Sequence, residues 1–213
     1  MQDSSEKLIE YLCSLIECRD FTAVHHCEQI RRLTEIMLEK VVQFCPEYKL
    51  TQEECNRISF AASLHDIGKI SVSDRVLQKP CRLSPDETEI MKNHTRKGKQ
   101  IFDRVMKNLD ENSSDYEVFQ CCGDVCMSHH ERFDGGGYPE GLKGNEIPIS
   151  AQVVGLMDAY DALVSERIYK VAYDKNEAFE MIVEGECGVF NPRLIEIFRM
   201  VRMELEEVLE ETK

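Results

Sequence analysis

The chain has 213 residues, 42% of them hydrophobic and 31% charged, which is enough apolar material for one domain with a sizeable core and excludes wholesale disorder. Its 40 acidic and 26 basic residues leave a formal charge of −14, which excludes a duplex nucleic-acid binder because no basic stripe is available to displace counterions. No run approaches the ~20 apolar residues that span a bilayer. The ten cysteines are scattered through a chain whose opening, Met1–Lys7, is polar and does not resemble a signal peptide, so they read as reduced thiols of a soluble, cytoplasmic protein.

Taken in order, the segments are helical. Leu8, Tyr11, Leu12, Leu15 and Ile16 recur at helical spacing, so residues 1–18 read as an amphipathic helix or linker stub ahead of a domain at 19–213. A second helix runs from about Thr22 to Phe44 with Ile30, Leu33, Met37 and Val41 on one face, and Pro46 ends it. Thr51 and Glu54 make a capping box for a third, through Ile58, Ala61 and Leu64. Ser84-Pro85-Asp86-Glu87 opens a fourth, read as continuous through Ile90, Met91, His94, Ile101, Phe102 and Val105.

After a polar connector at Asp110–Asp115, the helical period returns in Val118, Phe119, Cys122, Val125, Cys126 and His129. Glu131–Pro148 holds five glycines and two prolines and reads as a loop, long for a compact domain and therefore a candidate for function. Ser150 starts the next helix, through Val153, Met157 and Tyr160; Asp174 with Glu177 boxes another, and Asn191-Pro192 opens the last. Its acidic end, Glu204–Glu211, reads as solvated, with Leu205, Val208 and Leu209 as a contact stripe. Strand-like alternation is absent, and the expected fold is all-α.

The chemistry concentrates in six histidines: His25, His26, His65, His94, His129 and His130. A solitary helical histidine is usually a core or surface residue. Here four of the six form adjacent pairs and a fifth sits in His65-Asp66, beside a carboxylate. Neutral imidazoles mixed with carboxylates suit iron, manganese or zinc and leave coordination positions open for water and substrate. The spacing fits no local zinc-finger pattern, so such a site has to be assembled from several helices.

His65-Asp66-Ile67-Gly68-Lys69-Ile70 resembles the signature of the HD metal-dependent phosphohydrolases. His129-His130-Glu131-Arg132-Phe133-Asp134-Gly135-Gly136-Gly137-Tyr138-Pro139 resembles the HHExxDGxGYP segment of their HD-GYP subfamily. Lys79-Pro80, Met91-Lys92-Asn93-His94-Thr95, Asp158-Ala159-Tyr160-Asp161-Ala162-Leu163 and Arg167-Ile168-Tyr169-Lys170 follow in that family's order, so the resemblance covers about Arg19 to Phe198.

The resemblance implies a single all-α domain that hydrolyses cyclic di-GMP, to pGpG or GMP, through a hydroxide bridging two divalent ions, iron or manganese. It implies His26, His65, Asp66, His94, His129, His130 and Asp158 as metal ligands, with Asp66 bridging and catalytic. It implies Lys69 as a catalytic contact to the scissile phosphate and Arg167 and Lys170 as phosphate-binding residues. Tyr138 either shapes the pocket, stacks on a base or supports the loop, and the glycines Gly135–Gly137 allow a tight backbone path. The first histidine fits the family register best as His26, with His25 as competitor. Three-metal members carry a glutamate four residues earlier; position 22 is threonine, so two metals are expected rather than three.

Cys126, three residues before His129, is a conceivable thiolate ligand but reads better as core packing, like Cys121 and Cys122. Other readings are hydrolysis of a related dinucleotide such as cyclic GMP-AMP, an idle domain that binds nucleotide or protein, and a general HD phosphohydrolase. The family also implies diguanylate cyclases or other signalling proteins as candidate partners, and the amphipathic segment at 1–18 reads as a linker stub or a dimerisation element, which makes a homodimer a further candidate.

Overall fold

The computed structural model describes Tyr11, Ser14, Arg19, residues 26–165 and residues 172–211, and within these every regular element is a helix. The expected helix at residues 8–16, the alternative ligand His25, and the expected phosphate contacts Arg167 and Lys170 lie outside the described residues, apart from Tyr11 and Ser14.

The first described helix, α1 (His26–Phe44), turns Ile30, Leu33, Met37 and Val41 inward, each with no measurable exposure. Burying each such side chain contributes about 1.5–3 kcal/mol. Pro46 opens a 3-10 turn (Pro46–Tyr48), and α2 (Gln52–Ser63) begins at the capping box between Thr51 and Glu54 that its sequence predicts. A 3-10 turn (Ile67–Ser71) and the short α3 (Asp74–Leu77) lead to α4 (Pro85–Lys92), capped by the Ser84 and Glu87 box.

The expected continuous helix from Ser84 is in fact two, α4 and α5 (His94–Met106), divided at Asn93. The apolar period runs through the break, which is why the sequence conceals it. What marks the break is a switch of partners: the His94 ring and the Thr95 hydroxyl both bond carbonyls at the end of α4, Met91 at 2.7 Å and Lys92 at 3.0 Å. α6 (Ser114–Ser128) then packs along α5, with Gly98 set against the Cys126 side chain.

α7 (Ile149–Val164), which starts one residue before the expected Ser150, buries Val153, Val154, Leu156, Met157 and Tyr160 completely. A helix apolar on all sides belongs at the centre of a domain, and α7 packs against α1, α6 and α8 (Lys175–Val183). Asp174 caps α8 by accepting from the backbone and side-chain nitrogens of Asn176, so the expected box with Glu177 is not formed. The last expected helix also divides, at Val201, into α9 (Pro192–Met200) and α10 (Arg202–Glu211). That bend brings Ile197 and Phe198 of α9, and Leu205, Val208 and Leu209 of α10, into one core. No helix among the described residues is long and apolar enough to cross a membrane.

Candidate metal centre

Three helices deliver histidines by the same local device. The last carbonyls of an α-helix lack intrahelical donors, and an imidazole just beyond the end can supply one. His65 Nδ1–H donates to Ala62 O of α2 at 2.7 Å, and His94 Nδ1–H donates to Met91 O of α4 at 2.7 Å. His129 Nδ1–H is shared between Val125 O at 2.9 Å and Cys126 O at 3.1 Å of α6. A carbonyl only accepts, so each Nδ1 carries the proton and each Nε2 is turned toward the common centre. A second-shell bond of this kind fixes both ring orientation and tautomer.

His26, the first residue of α1, uses a carboxylate instead: its Nδ1–H donates to Asp161 Oδ2 at 2.8 Å. Asp161 is buried on α7 and is held in turn by Gln29 Nε2 and by the Ser165 hydroxyl at 3.1 Å. Asp158, one turn earlier on α7, points to the same centre.

Two glycines set the spacing. A Cβ on Gly68 would fall 1.9 Å from His94 O, and one on Gly155 would fall 2.1 Å from His129 O. The 3-10 turn with Lys69 therefore lies directly on the start of α5, and α7 lies directly on the end of α6.

The structure brings together all seven residues of the expected ligand set. Asp66, His94, His129 and His130 form one group of donors, His26, His65 and Asp66 a second, and His65, His129 and Asp158 a third, with the donor atoms of each group mutually within 4.8 Å. Asp66 Oδ1 stands 3.1 Å from His94 Nε2 and 3.8 Å from His129 Nε2, while Asp66 Oδ2 is 3.4 Å from His65 Nε2 and 2.7 Å from Lys69 Nζ. Asp158 Oδ1 lies 3.8 Å from His26 Nε2 and 3.7 Å from His65 Nε2.

The donor set fits a cation. Asp66 Oδ1 is buried without a hydrogen-bond donor, although such atoms are normally paired. His94 and His129 approach Nε2 to Nε2 at 3.4 Å, yet both carry their proton on Nδ1, so two lone pairs face one another. The electrostatics ask for positive charge as well. Burial pulls the His65 imidazole down, but Asp66 and Asp158 outweigh it and raise its pKa to about 10. Burial opposes ionisation of Asp66, yet Lys69 and His65 hold its carboxyl well below the usual range. Burial and the neighbouring His65 push His129 down to about 3, and burial with His129 pushes His130 down too, which favours the neutral form that can offer a lone pair to a metal.

The loop after α6 closes over this centre around one carboxylate. Buried Glu131 accepts backbone N–H bonds from Glu140 at 2.7 Å, Gly141 at 3.2 Å and Leu142 at 3.0 Å. Gly135 has φ +84°, and a Cβ on Gly137 would fall 2.4 Å from Glu131 Cα, so the tight path expected of these glycines is present. Tyr138 stacks on His130, with ring centroids 4.7 Å apart, and Lys92 Nζ stands over the tyrosine ring. Cys126 belongs to none of the three donor groups: its thiol donates to Leu64 O at 3.3 Å, and burial pushes its pKa well up.

The family model described as HD domain matches residues 21–194. The chain belongs to the HD domain family. This HD domain is 37% identical over its whole length to a cyclic di-GMP phosphodiesterase of Thermotoga maritima, covering 53% of that protein. It is 34% identical to a probable cyclic di-GMP phosphodiesterase of Vibrio cholerae, over 93% of this chain and 44% of the relative. It is 29% identical to a 3'3'-cGAMP-specific phosphodiesterase of the same organism, over 92% of this chain and 35% of that one. The chain thus spans about half the length, or less, of these curated relatives.

Sequence reasoning missed Asp161, Gln29, Gly68 and Gly155, and gave Glu131 no role. Asp161 had a usable signal, because it lies three residues beyond Asp158 on one helix and therefore on the same face.

Proposed function

We propose that this domain hydrolyses cyclic di-GMP at a centre of two divalent cations, iron or manganese. The observation that carries the reading is the sharing of donors: Asp66 takes part in two of the three donor groups, and so do His65 and His129. A carboxylate common to adjacent groups would serve a centre of more than one ion. In this reading His26, His65, His94, His129, His130 and Asp158 are the remaining ligands. The names of the relatives support the substrate class, a cyclic dinucleotide.

Divalent cations held there supply Lewis acidity, countering phosphate charge and acidifying water for attack on phosphorus. The chain's own contribution is positional. The helix-end carbonyls and Asp161 hold the imidazoles with Nε2 inward, which needs no reorganisation when charge develops. Lys69, 2.7 Å from Asp66, adds a fixed positive charge at the edge of the centre, where a phosphate oxygen can share it. Burial pushes the Tyr138 hydroxyl up, so it stays protonated and acts as a donor. Arg167 and Lys170 complete the phosphate contacts in this reading. The P–O bond breaks as water adds to phosphorus, and the departing ribose oxygen takes up a proton; no covalent enzyme intermediate is required.

The test is product analysis with protein purified without oxygen and loaded with Fe(II) or Mn(II), beside an Asp66→Ala variant. Conversion of cyclic di-GMP to pGpG or GMP, lost in the variant, is expected. Turnover of 3'3'-cGAMP alone would shift the substrate to that dinucleotide. Binding of cyclic di-GMP with no turnover by metal-loaded protein would overturn the catalytic reading in favour of an idle receptor.

A further inference from the structure

Beside the metal centre runs a groove of about 550 Å³, between the end of α4, the start of α5 and the Tyr138-Pro139 turn. Its size is within the range of small-molecule sites. Glu89, Ile90, Lys92 and Arg96 form one wall, and Tyr138 and Pro139 the other. The groove adjoins the centre through Tyr138, whose ring stacks on His130. We propose that this groove is a guanine subsite, with the Glu89 carboxylate reading the base; the proposal rests on the cyclic-dinucleotide reading above.

Guanine presents N1–H and N2–H side by side, two donors that one carboxylate can accept together, with O6 next to them as an acceptor. Adenine presents a lone pair at N1, which a carboxylate repels. Glu89 is exposed at the groove, 2.9 Å from Lys92 Nζ, so a paired acceptor and a cationic donor stand together. An exposed ion pair of this kind is held by only about 0–1 kcal/mol, so Glu89 can turn to a ligand at little cost.

The apolar part of the groove suits the faces of a base. Ile90, 49% exposed, and Pro139 both line the groove and give it apolar surface. Arg96 fixes the far wall by pairing with Glu140 at 2.6 Å and donating to Pro139 O at 3.2 Å. Its role is to hold the wall in place, while Glu89 supplies the discrimination.

The experiment compares kcat/KM for cyclic di-GMP, cyclic di-AMP and the base-free diester bis(p-nitrophenyl) phosphate in the wild type and in Glu89→Gln and Glu89→Ala. Each dinucleotide value is divided by that for the base-free diester, which removes any general loss of activity or folding. The wild type is expected to prefer cyclic di-GMP, and both variants to narrow that preference on the order of tenfold. A preference that is absent in the wild type, or is the same in all three proteins, overturns the subsite. A wild type that cleaves the base-free diester but no cyclic dinucleotide overturns the functional reading itself, and the subsite with it.

Discussion

Asp161 and His26 are joined by a 2.8 Å hydrogen bond between the last turn of α7 and the first residue of α1. It orients the His26 ring from a helix far away in sequence, whereas His65, His94 and His129 are each oriented by a carbonyl at most four residues away. Replacing Asp161 with alanine is expected to lower divalent-metal affinity by roughly 10–100-fold. Asn, which keeps an acceptor oxygen, is expected to fall between. Mn(II) titration followed by electron paramagnetic resonance measures this directly; an Ala variant that binds as tightly as wild type would refute the orienting role.

The loop over the centre depends on the charge of Glu131. Glu131→Gln keeps the shape but weakens the bonds to the amides of residues 140–142, with an expected loss of about 1.5–3 kcal/mol in urea unfolding. Hydrogen exchange locates the effect: the amides of Glu140, Gly141 and Leu142 should lose protection ahead of the helices. Unchanged protection at these three would show that something other than Glu131 orders the turn.

Cys126 separates packing from ligation. Cys126→Ala removes a buried sulfur and its bond to Leu64 O, with an expected cost of about 1 kcal/mol, and leaves the metal content of the protein where it was. Loss of metal with little loss of stability is the outcome that would return the thiol to the candidate ligands.

Lys79 and Glu87 give a pH dependence of defined sign. The Lys79 ammonium, followed by the Ser84 backbone N–H, holds the Glu87 carboxyl down to about 2, from an ordinary 4.5. A carboxyl lowered by folding adds stability that is fully present above about pH 4.5 and fades as pH falls toward 2. The difference in Tm between wild type and Glu87→Gln should therefore be constant from neutrality to about pH 5 and shrink below it. In Lys79→Met, carbon NMR should find the Glu87 midpoint moved up toward 4.5.

Much of the helix order was legible because caps and apolar periods are local. Thr51 with Glu54 and Ser84 with Glu87 mark helix starts in a handful of residues, and both boxes are present. The breaks at Asn93 and Val201 were hidden because the apolar period continues across them, and what divides each helix is a tertiary demand: aiming His94, and bringing α10 onto the core. The histidines stood out by residue type and pairing, and the structure gathers the expected set. The residues that orient or space them were harder to see. Asp161 looks like any polar position on a helix, and Gly155 looks like a mild defect in one. Their meaning lies in a neighbour 135 residues away in the first case and in the backbone at His129 in the second.

Gly68 and Gly155 place the main chain, rather than side chains, in contact at His94 and His129. Side chains can relax through rotamers when a neighbour changes, whereas two backbones touching through a glycine have no such slack. The register between the histidine-bearing helix ends and the elements that carry Asp66 and Asp158 is therefore written into the scaffold at the level of single hydrogen atoms. A methyl group at either glycine would move the cage apart while leaving every donor in the sequence untouched, so an inventory of ligands alone cannot certify that a chain of this kind still possesses its centre.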